Sequence, residues 1–469
     1  MKYWIITFGC QMNKNDSQRI AKILEMLGFK KASKEDEADL VVVNMCSVRQ
    51  SAVDRAFSKT QNAKRKTQNH NEKLRGNLVA LRKSKVKIIV TGCILQKDKE
   101  RFKKFADAVV DVQNIHNLPQ TLSKLDFKIS QIKIKDYLKI EPKYEKSPIA
   151  YVPIMTGCNN FCTYCVVPYT RGPERSRLPE EILCEIKNWL KRGAKEIWLL
   201  GQNVNSYKVK SQISKVKTTT KSCAATSLLC ASQKSKFIDF AKLLKMVNDL
   251  PGDFWMRFTS SHPKDLTDEL IETMAKCKKV TPYINLPVQS GDDEILKRMN
   301  RPYTFAHYKK LIKKLRSAFK KYRKGLEKEL AISTDIIVGF PGESRRHFKN
   351  TKKLVEEIGF FMAYIAQYSP RPGTAAYHLK DNVSSEEKEK REKELTEIVR
   401  ECGLKFNKKF VGKTVDALVL EKKKDFYFGK TRHYQTIKFK VEKDNLIGKF
   451  VQVKVKKALD FGLEGDLIK

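Results

Sequence analysis

The sequence predicts an α/β chain in three parts. These are an N-terminal doubly wound parallel-sheet domain over 1–143, a central partial (β/α)6 TIM-type barrel over 144–380, and a linker helix with a small antiparallel β-barrel over 381–469. Three observations carry this. β-branched runs alternate with helical stretches in the first third, six apolar runs each followed by polar turn residues fill the middle, and alternating Val-rich runs punctuated by glycine fill the end. At 469 residues the chain exceeds what one hydrophobic core organises.

Tyr3 to Phe8 is a short apolar run ending in Gly9-Cys10. Asp16 is expected to open a helix that carries Ile20, Ile23, Leu24 and Leu27 on one face and stops at Gly28. Leu40 to Val43 leads into Asn44-Met45-Cys46, and Val86 to Val90 into Thr91-Gly92-Cys93. In a parallel sheet the carboxyl ends of the strands share one edge, so Cys10, Cys46 and Cys93 should converge although far apart in sequence. A lone cysteine is more often a buried structural residue, but the repetition at three strand ends suggests a shared metal-ligand set. The basic segment from Ser58 to Lys87 reads as a solvated face, less often as a nucleic-acid contact.

Cys158, Cys162 and Cys165 lie within one loop at x3 and x2 spacing. Zinc sites usually pair C-x2-C with a second pair elsewhere, and no fourth Cys or His stands near, so the loop suits an iron-sulfur cube with one iron left open. Six strands are expected: Tyr151–Met155, Ile197–Leu200, Trp255–Phe258, Tyr283–Leu286, Ile332–Val338 and Met362–Tyr368. Pro179 should start a helix that Gly193 ends. The polar signatures follow the strands, among them Gly201-Gln202-Asn203, Ser260-Ser261-His262, Gln289-Ser290-Gly291 and Gly339-Phe340-Pro341-Gly342-Glu343, and in a barrel those ends share the catalytic face.

The stretch 208–236 is rich in Ser, Thr and Lys, has no acid, and reads as a flexible insertion on the catalytic face, with Cys223 and Cys230 as loop cysteines. Ser384-Ser385-Glu386-Glu387 reads as a capping box opening the linker helix. Between Lys405 and Lys457 stand 16 Lys plus Arg against 5 Asp plus Glu. Phe426, Tyr427, Phe428, His433 and Tyr434 are interleaved with them, a pattern that suits phosphate contact and base stacking or, alternatively, a solvated β face over core aromatics.

The formal net charge of +41 favours a polyanionic partner, with a lysine-rich composition as the bland explanation. No apolar run is long enough to cross a bilayer, and the N-terminus lacks a signal-peptide pattern. Eleven unevenly spaced cysteines do not resemble a secreted disulfide framework, so a cytoplasmic protein is expected.

The C-x3-C-x2-C loop resembles that of radical S-adenosylmethionine (SAM) enzymes. A larger set resembles the methylthiotransferases: Thr7 to Asn13, Cys46, Cys93, Arg171-Gly172 with Arg175-Ser176-Arg177, Gly201 to Tyr207, and Leu286 to Gly291. The match runs from about Lys2 to the C-terminus, which itself resembles the RNA-binding TRAM domain. Gly9 to Asn13 and Cys46 to Arg49 are most similar to the branch acting on dimethylallyladenosine in tRNA; Met45 stands where the family usually has Thr.

The resemblance implies two [4Fe-4S] clusters. One, on Cys158, Cys162 and Cys165, would reduce SAM to a 5′-deoxyadenosyl radical. The other, on Cys10, Cys46 and Cys93, would carry sulfur, methylated by a second SAM, to carbon 2 of the base. Gln202, Gln289 and Gly339 are expected beside SAM. No side chain is assigned acid-base catalysis, because the hydrogen replaced is carbon-bound and the hard chemistry belongs to the cofactor. Implied partners are the tRNA anticodon arm, presented unstacked, and a low-potential electron donor such as flavodoxin or ferredoxin, with the chain a monomer. Alternatives are methylthiolation of threonylcarbamoyladenosine or of a ribosomal protein side chain, and an RNA-binding protein with merely structural clusters.

Overall fold

The computed structural model describes residues 1–48, 50–73, 86–130, 132, 134, 136–210, 237–441 and 445–468. Strands β1 (Lys2–Phe8), β2 (Lys30–Lys31), β3 (Leu40–Cys46), β4 (Lys87–Cys93) and β5 (Ala108–Asp111) make a parallel sheet in the order β2-β1-β3-β4-β5. Every residue of the central β3 is buried because both faces are covered. Leu40 and Val42 meet Ile20 and Leu24 of helix α1 (Gln11–Met26), while Val41 and Val43 meet Val53 and Ala56 of helix α2 (Gln50–Lys73). β2 and β5 were not foreseen, being too short to show a pattern.

Asp16 does not open α1 as the sequence suggested. The helix begins at Gln11 with Cys10 as its N-cap, and Asp16 lies inside it, buried, because its carboxylate is drawn into an ion pair with Arg171.

All six barrel strands form where expected, within a residue or two: β6 (Ile149–Pro153), β9 (Glu196–Leu200), β12 (Trp255–Phe258), β13 (Tyr283–Asn285), β14 (Ala331–Val338) and β15 (Met362–Gln367). β6, β9 and β12 pair in parallel, as do β13, β14 and β15, and a bridge between Met256 and Val280 joins the two halves into an open arc. α1 sits on the free edge, where Asn15 Nδ2 donates to the Tyr151 carbonyl at 2.8 Å. The pair β7 (Met155–Thr156) and β8 (Arg175–Ser176) clamps the base of the cysteine loop. β10 (Lys208–Lys210) and β11 (Phe237–Asp239) form an antiparallel hairpin, so the first three residues assigned to the insertion are strand. The remainder, with Cys223 and Cys230, lies outside the described residues.

The linker helix runs Ser385–Lys408, longer than its capping signal showed. Ser384 accepts the Glu387 N–H, but the Glu387 carboxylate pairs with Arg391 instead of completing a box. Leu395 and Val399 belong to the barrel core and Phe406 to the C-terminal one. Five strands then close a barrel in the order β16-β17-β18-β20-β19: β16 (Thr414–Lys423), β17 (Phe426–Thr431), β18 (Thr436–Lys440), β19 (Phe450–Leu459) and β20 (Gly462–Leu467).

This module docks under the central barrel through Tyr434, which meets Trp198 and Tyr283 at ring-centroid distances of 5.2 and 4.7 Å. Three of the five aromatics offered for base stacking are thereby corrected. Tyr427 and His433 are buried and Tyr434 is wedged between modules; they are core, because β17 alternates and a tight turn turns the last two inward. Phe426 and Phe428 keep the outward register, with Lys438 and Lys423 against them at 4.6 and 5.6 Å. Among the described residues no helix is long and apolar enough to cross a membrane.

Candidate metal and cofactor centre

Parallel pairing sets Cys46 directly opposite Cys93 at the ends of β3 and β4. Cys10 reaches them because Gly9 lies so close that a Cβ there would come within 3.0 Å of Cys46 Cβ. At Gly92, with φ of +122°, a Cβ would meet the Met45 carbonyl at 1.9 Å, so only glycine allows β4 this approach. Cys46 and Cys93 are buried and Cys10 is exposed at the rim. The Cys93 thiol is drawn down, first by its hydrogen bond with Cys46 and then by the Arg171 guanidinium, whereas Cys46 is pushed up by that bond and by burial. Three sulfurs sharing one strand edge, with a cation against them, fit an iron-sulfur cluster on three thiolates.

The second trio is held by its backbone. Cys158 N–H donates to the Gly172 carbonyl at 3.2 Å, and Cys165 N–H to that of Cys162 at 2.9 Å. Phe161 takes φ of +46° to make the tight wrap and stays exposed. Burial pushes the Cys165 thiol up to about 12, and the charges of Cys162 and Cys158 add to this. Arg301, buried, directs Nη1 at Cys162 Sγ at 3.7 Å and Nη2 at the Pro287 carbonyl at 2.7 Å. This donor set also fits a cluster.

Beside that loop the strand ends present buried polar atoms without partners among the described residues: Gln202 Oε1, Asn203 Oδ1, Asn205 Oδ1, Ser261 Oγ and His262 Nε2. Glu174 ties them to the loop, accepting from Ser206 Oγ at 2.8 Å while its own N–H donates to Asn159 at 3.0 Å. Burial holds His262 near 2, and its Nδ1 accepts the Lys264 N–H at 3.2 Å, which leaves Nε2 as an unspent donor. Buried unsatisfied polar groups of this density fit a polar ligand such as SAM.

Gln289, half-buried with φ of +69°, makes a parallel bridge to Ile336 of the neighbouring strand β14. Gly339 stands apart in character. Its N–H donates to Glu343 at 2.5 Å, and the space beside its Cα is filled by Lys388 of the linker helix. Arg301, His262 and the Arg171–Asp16 pair are the residues sequence reasoning did not single out for these roles. Arg171 and His262 were visible only inside quoted motifs, and the signal that could have found them is their place directly after a cysteine loop or a strand.

Residues 152–355 match the model of the radical SAM superfamily, 2–112 that of the uncharacterized protein family UPF0004, and 408–468 that of the TRAM domain. A tRNA-2-methylthio-N(6)-dimethylallyladenosine synthase of Clostridium botulinum (strain Langeland / NCTC 10281 / Type F) is 39% identical over 491 residues, covering 100% of this chain and 97% of its own. The chain belongs to that synthase family. Relatives of the same name from Dictyoglomus thermophilum and Carboxydothermus hydrogenoformans are each 38% identical, covering 100% and 99% of this chain and 99% of their own. In fold the chain is similar to the radical S-adenosylmethionine methyltransferase TsrM from Kitasatospora setae. The solved structure with cobalamin and a [4Fe-4S] cluster gives a TM-score of 0.50 at 10% identity, covering 80% of this chain and 77% of that one; the one with tryptophan and a SAM analog gives 0.51 at 11%, covering 80% and 75%. The chain is thus a radical SAM enzyme of the methylthiotransferase class.

Proposed function

We propose that this enzyme methylthiolates carbon 2 of dimethylallyladenosine beside the tRNA anticodon, with one [4Fe-4S] cluster on Cys158, Cys162 and Cys165 and a second on Cys10, Cys46 and Cys93. The observation that carries this reading is the meeting of Cys10, Cys46 and Cys93 at one strand edge, joined through Arg171 to the Cys158 loop, in a chain collinear with synthases of that name. When bound, the clusters and SAM supply a carbon-centred radical and a methylated sulfur, chemistry that no side chain here can perform.

The protein's own work is placement. Gln202, Asn203, Asn205 and Ser261 offer buried acceptors suited to the ammonium and hydroxyl groups of SAM, and His262 offers a neutral N–H. Gln289 lines the same edge of the arc, and Gly339 contributes backbone shape. Arg301 neutralises charge at Cys162. The outward face of the C-terminal barrel, with Phe426, Phe428 and the exposed Lys454, Lys456 and Lys457 of β19, would hold the anticodon arm by stacking and phosphate contact. A low-potential donor such as flavodoxin or ferredoxin would deliver electrons, and the chain would work as a cytoplasmic monomer.

The test is mass spectrometry of tRNA nucleosides from a strain lacking the gene. Dimethylallyladenosine without the methylthio group is expected, restored by the native gene and not by one encoding Cys93→Ala. Undiminished methylthio-adenosine in the deletion strain would overturn the reading.

A further inference from the structure

One side chain joins the two cysteine trios. Arg171 ends the short helix Val167–Arg171 that follows the Cys158–Cys165 loop, and its neighbour Gly172 accepts the Cys158 N–H. The side chain leaves that loop for the other trio. Nε donates to Cys93 Sγ at 3.0 Å and Nη2 to Asp16 Oδ2 at 2.6 Å, while Tyr137 Oη donates to the other Asp16 oxygen. Both charged groups are essentially inaccessible to water, at 2% and 0% side-chain exposure. Arg171 Nη1 has no partner among the described residues. A buried ion pair adds little stability over apolar residues of the same volume, so the reason for this one lies in the sulfur it touches.

We propose that Arg171 is a positioning residue for the N-terminal cluster, holding the Cys93 sulfur and, against the opposing charge of Asp16, setting how readily that cluster accepts an electron. This rests on the reading that Cys10, Cys46 and Cys93 carry a cluster. A positive charge and an N–H bond at a thiolate ligand stabilise the reduced, more negative cluster and so raise its potential. Asp16 acts in the opposite sense. The electron comes from an added reductant such as dithionite, with no bond broken at sulfur and no proton required.

The experiment uses the full-length chain with Cys158, Cys162 and Cys165 all replaced by Ala, reconstituted anaerobically, and reads iron content and an electron-paramagnetic-resonance redox titration. About four irons per chain are expected. In that background Arg171→Met should move the midpoint to more negative potential, Arg171→Lys should recover part of the shift, and Asp16→Asn should move it to more positive potential. A merely structural role would shift both sites in one direction or neither. A midpoint unchanged or raised in Arg171→Met, or not raised in Asp16→Asn, overturns the proposal with the cluster reading intact. Absence of iron in the chain that keeps Arg171 and Asp16 overturns the cluster reading and the proposal with it. If Arg171→Met takes up no iron, Asp16→Asn alone decides.

Discussion

Arg257 donates to Glu196 at 2.9 Å inside the central barrel, both side chains being almost wholly buried, and its terminal nitrogens donate to the carbonyls of Thr431 and Arg432 in the C-terminal module. Trp198 Nε1 takes the other Glu196 oxygen at 2.6 Å, and Thr281 the remaining reach of Arg257 at 2.8 Å. The underside of the barrel is therefore a polar layer that fixes the TRAM module to the central barrel.

Arg257→Ala leaves Glu196 buried without its cation and takes the donor from the Arg432 carbonyl, while the Thr431 carbonyl keeps the Tyr434 N–H, a change of the class that costs about 3–5 kcal/mol. Urea denaturation followed by tryptophan fluorescence should show that loss. Arg257→Met with Glu196→Gln should lose less than Arg257→Ala with Glu196 kept; equal losses would remove the charge argument.

His433 is buried against Phe410 and held down to about 3, chiefly by desolvation. The unfolded chain takes up its proton near 6.5 and the folded chain does not. This contribution to stability is complete above about pH 6.5 and is lost as pH falls toward 3, by about 1.4 kcal/mol per pH unit over that window. His433→Asn should flatten the pH dependence of unfolding free energy between about pH 6 and 4 by close to one proton; parallel curves would contradict this.

Much of the architecture was legible because it follows from patterning. The β-branched run at β3 must be buried on both faces, and Cys46 and Cys93 must then fall side by side, since parallel strands carry equivalent ends to one edge. The six barrel strands showed themselves by alternation with helices. What stayed hidden depended on partners distant in sequence. Asp16 has the composition of a helix cap, and only the chain geometry that brings Arg171 to it explains why it is buried mid-helix instead. Tyr434 beside Lys430 reads as an RNA-facing aromatic until Trp198 closes over it, at which point burial also depresses Lys430 to about 8.

Cys162→Ala removes one of the thiolates proposed to hold a cluster and does not touch the C-terminal barrel. Anaerobic assay should show SAM cleavage lost, while tRNA affinity by filter binding stays within about two-fold, less than the 1.4 kcal/mol that a factor of ten represents. Loss of tRNA binding in step with cleavage would favour a structural role for the loop.

Affinity for tRNA should fall steeply with salt, by about 0.7–0.9 in log–log slope for each phosphate neutralised. Lys454→Ala with Lys456→Ala should reduce that slope, because both are exposed on β19. A flat salt response would contradict electrostatic docking.

Iron and acid-labile sulfide per chain, measured after anaerobic reconstitution, test the assignment of two sites directly. Two clusters require about eight of each, falling to about four when Cys10, Cys46 and Cys93 are replaced by Ala. About four in the native chain, unchanged by that substitution, would contradict it.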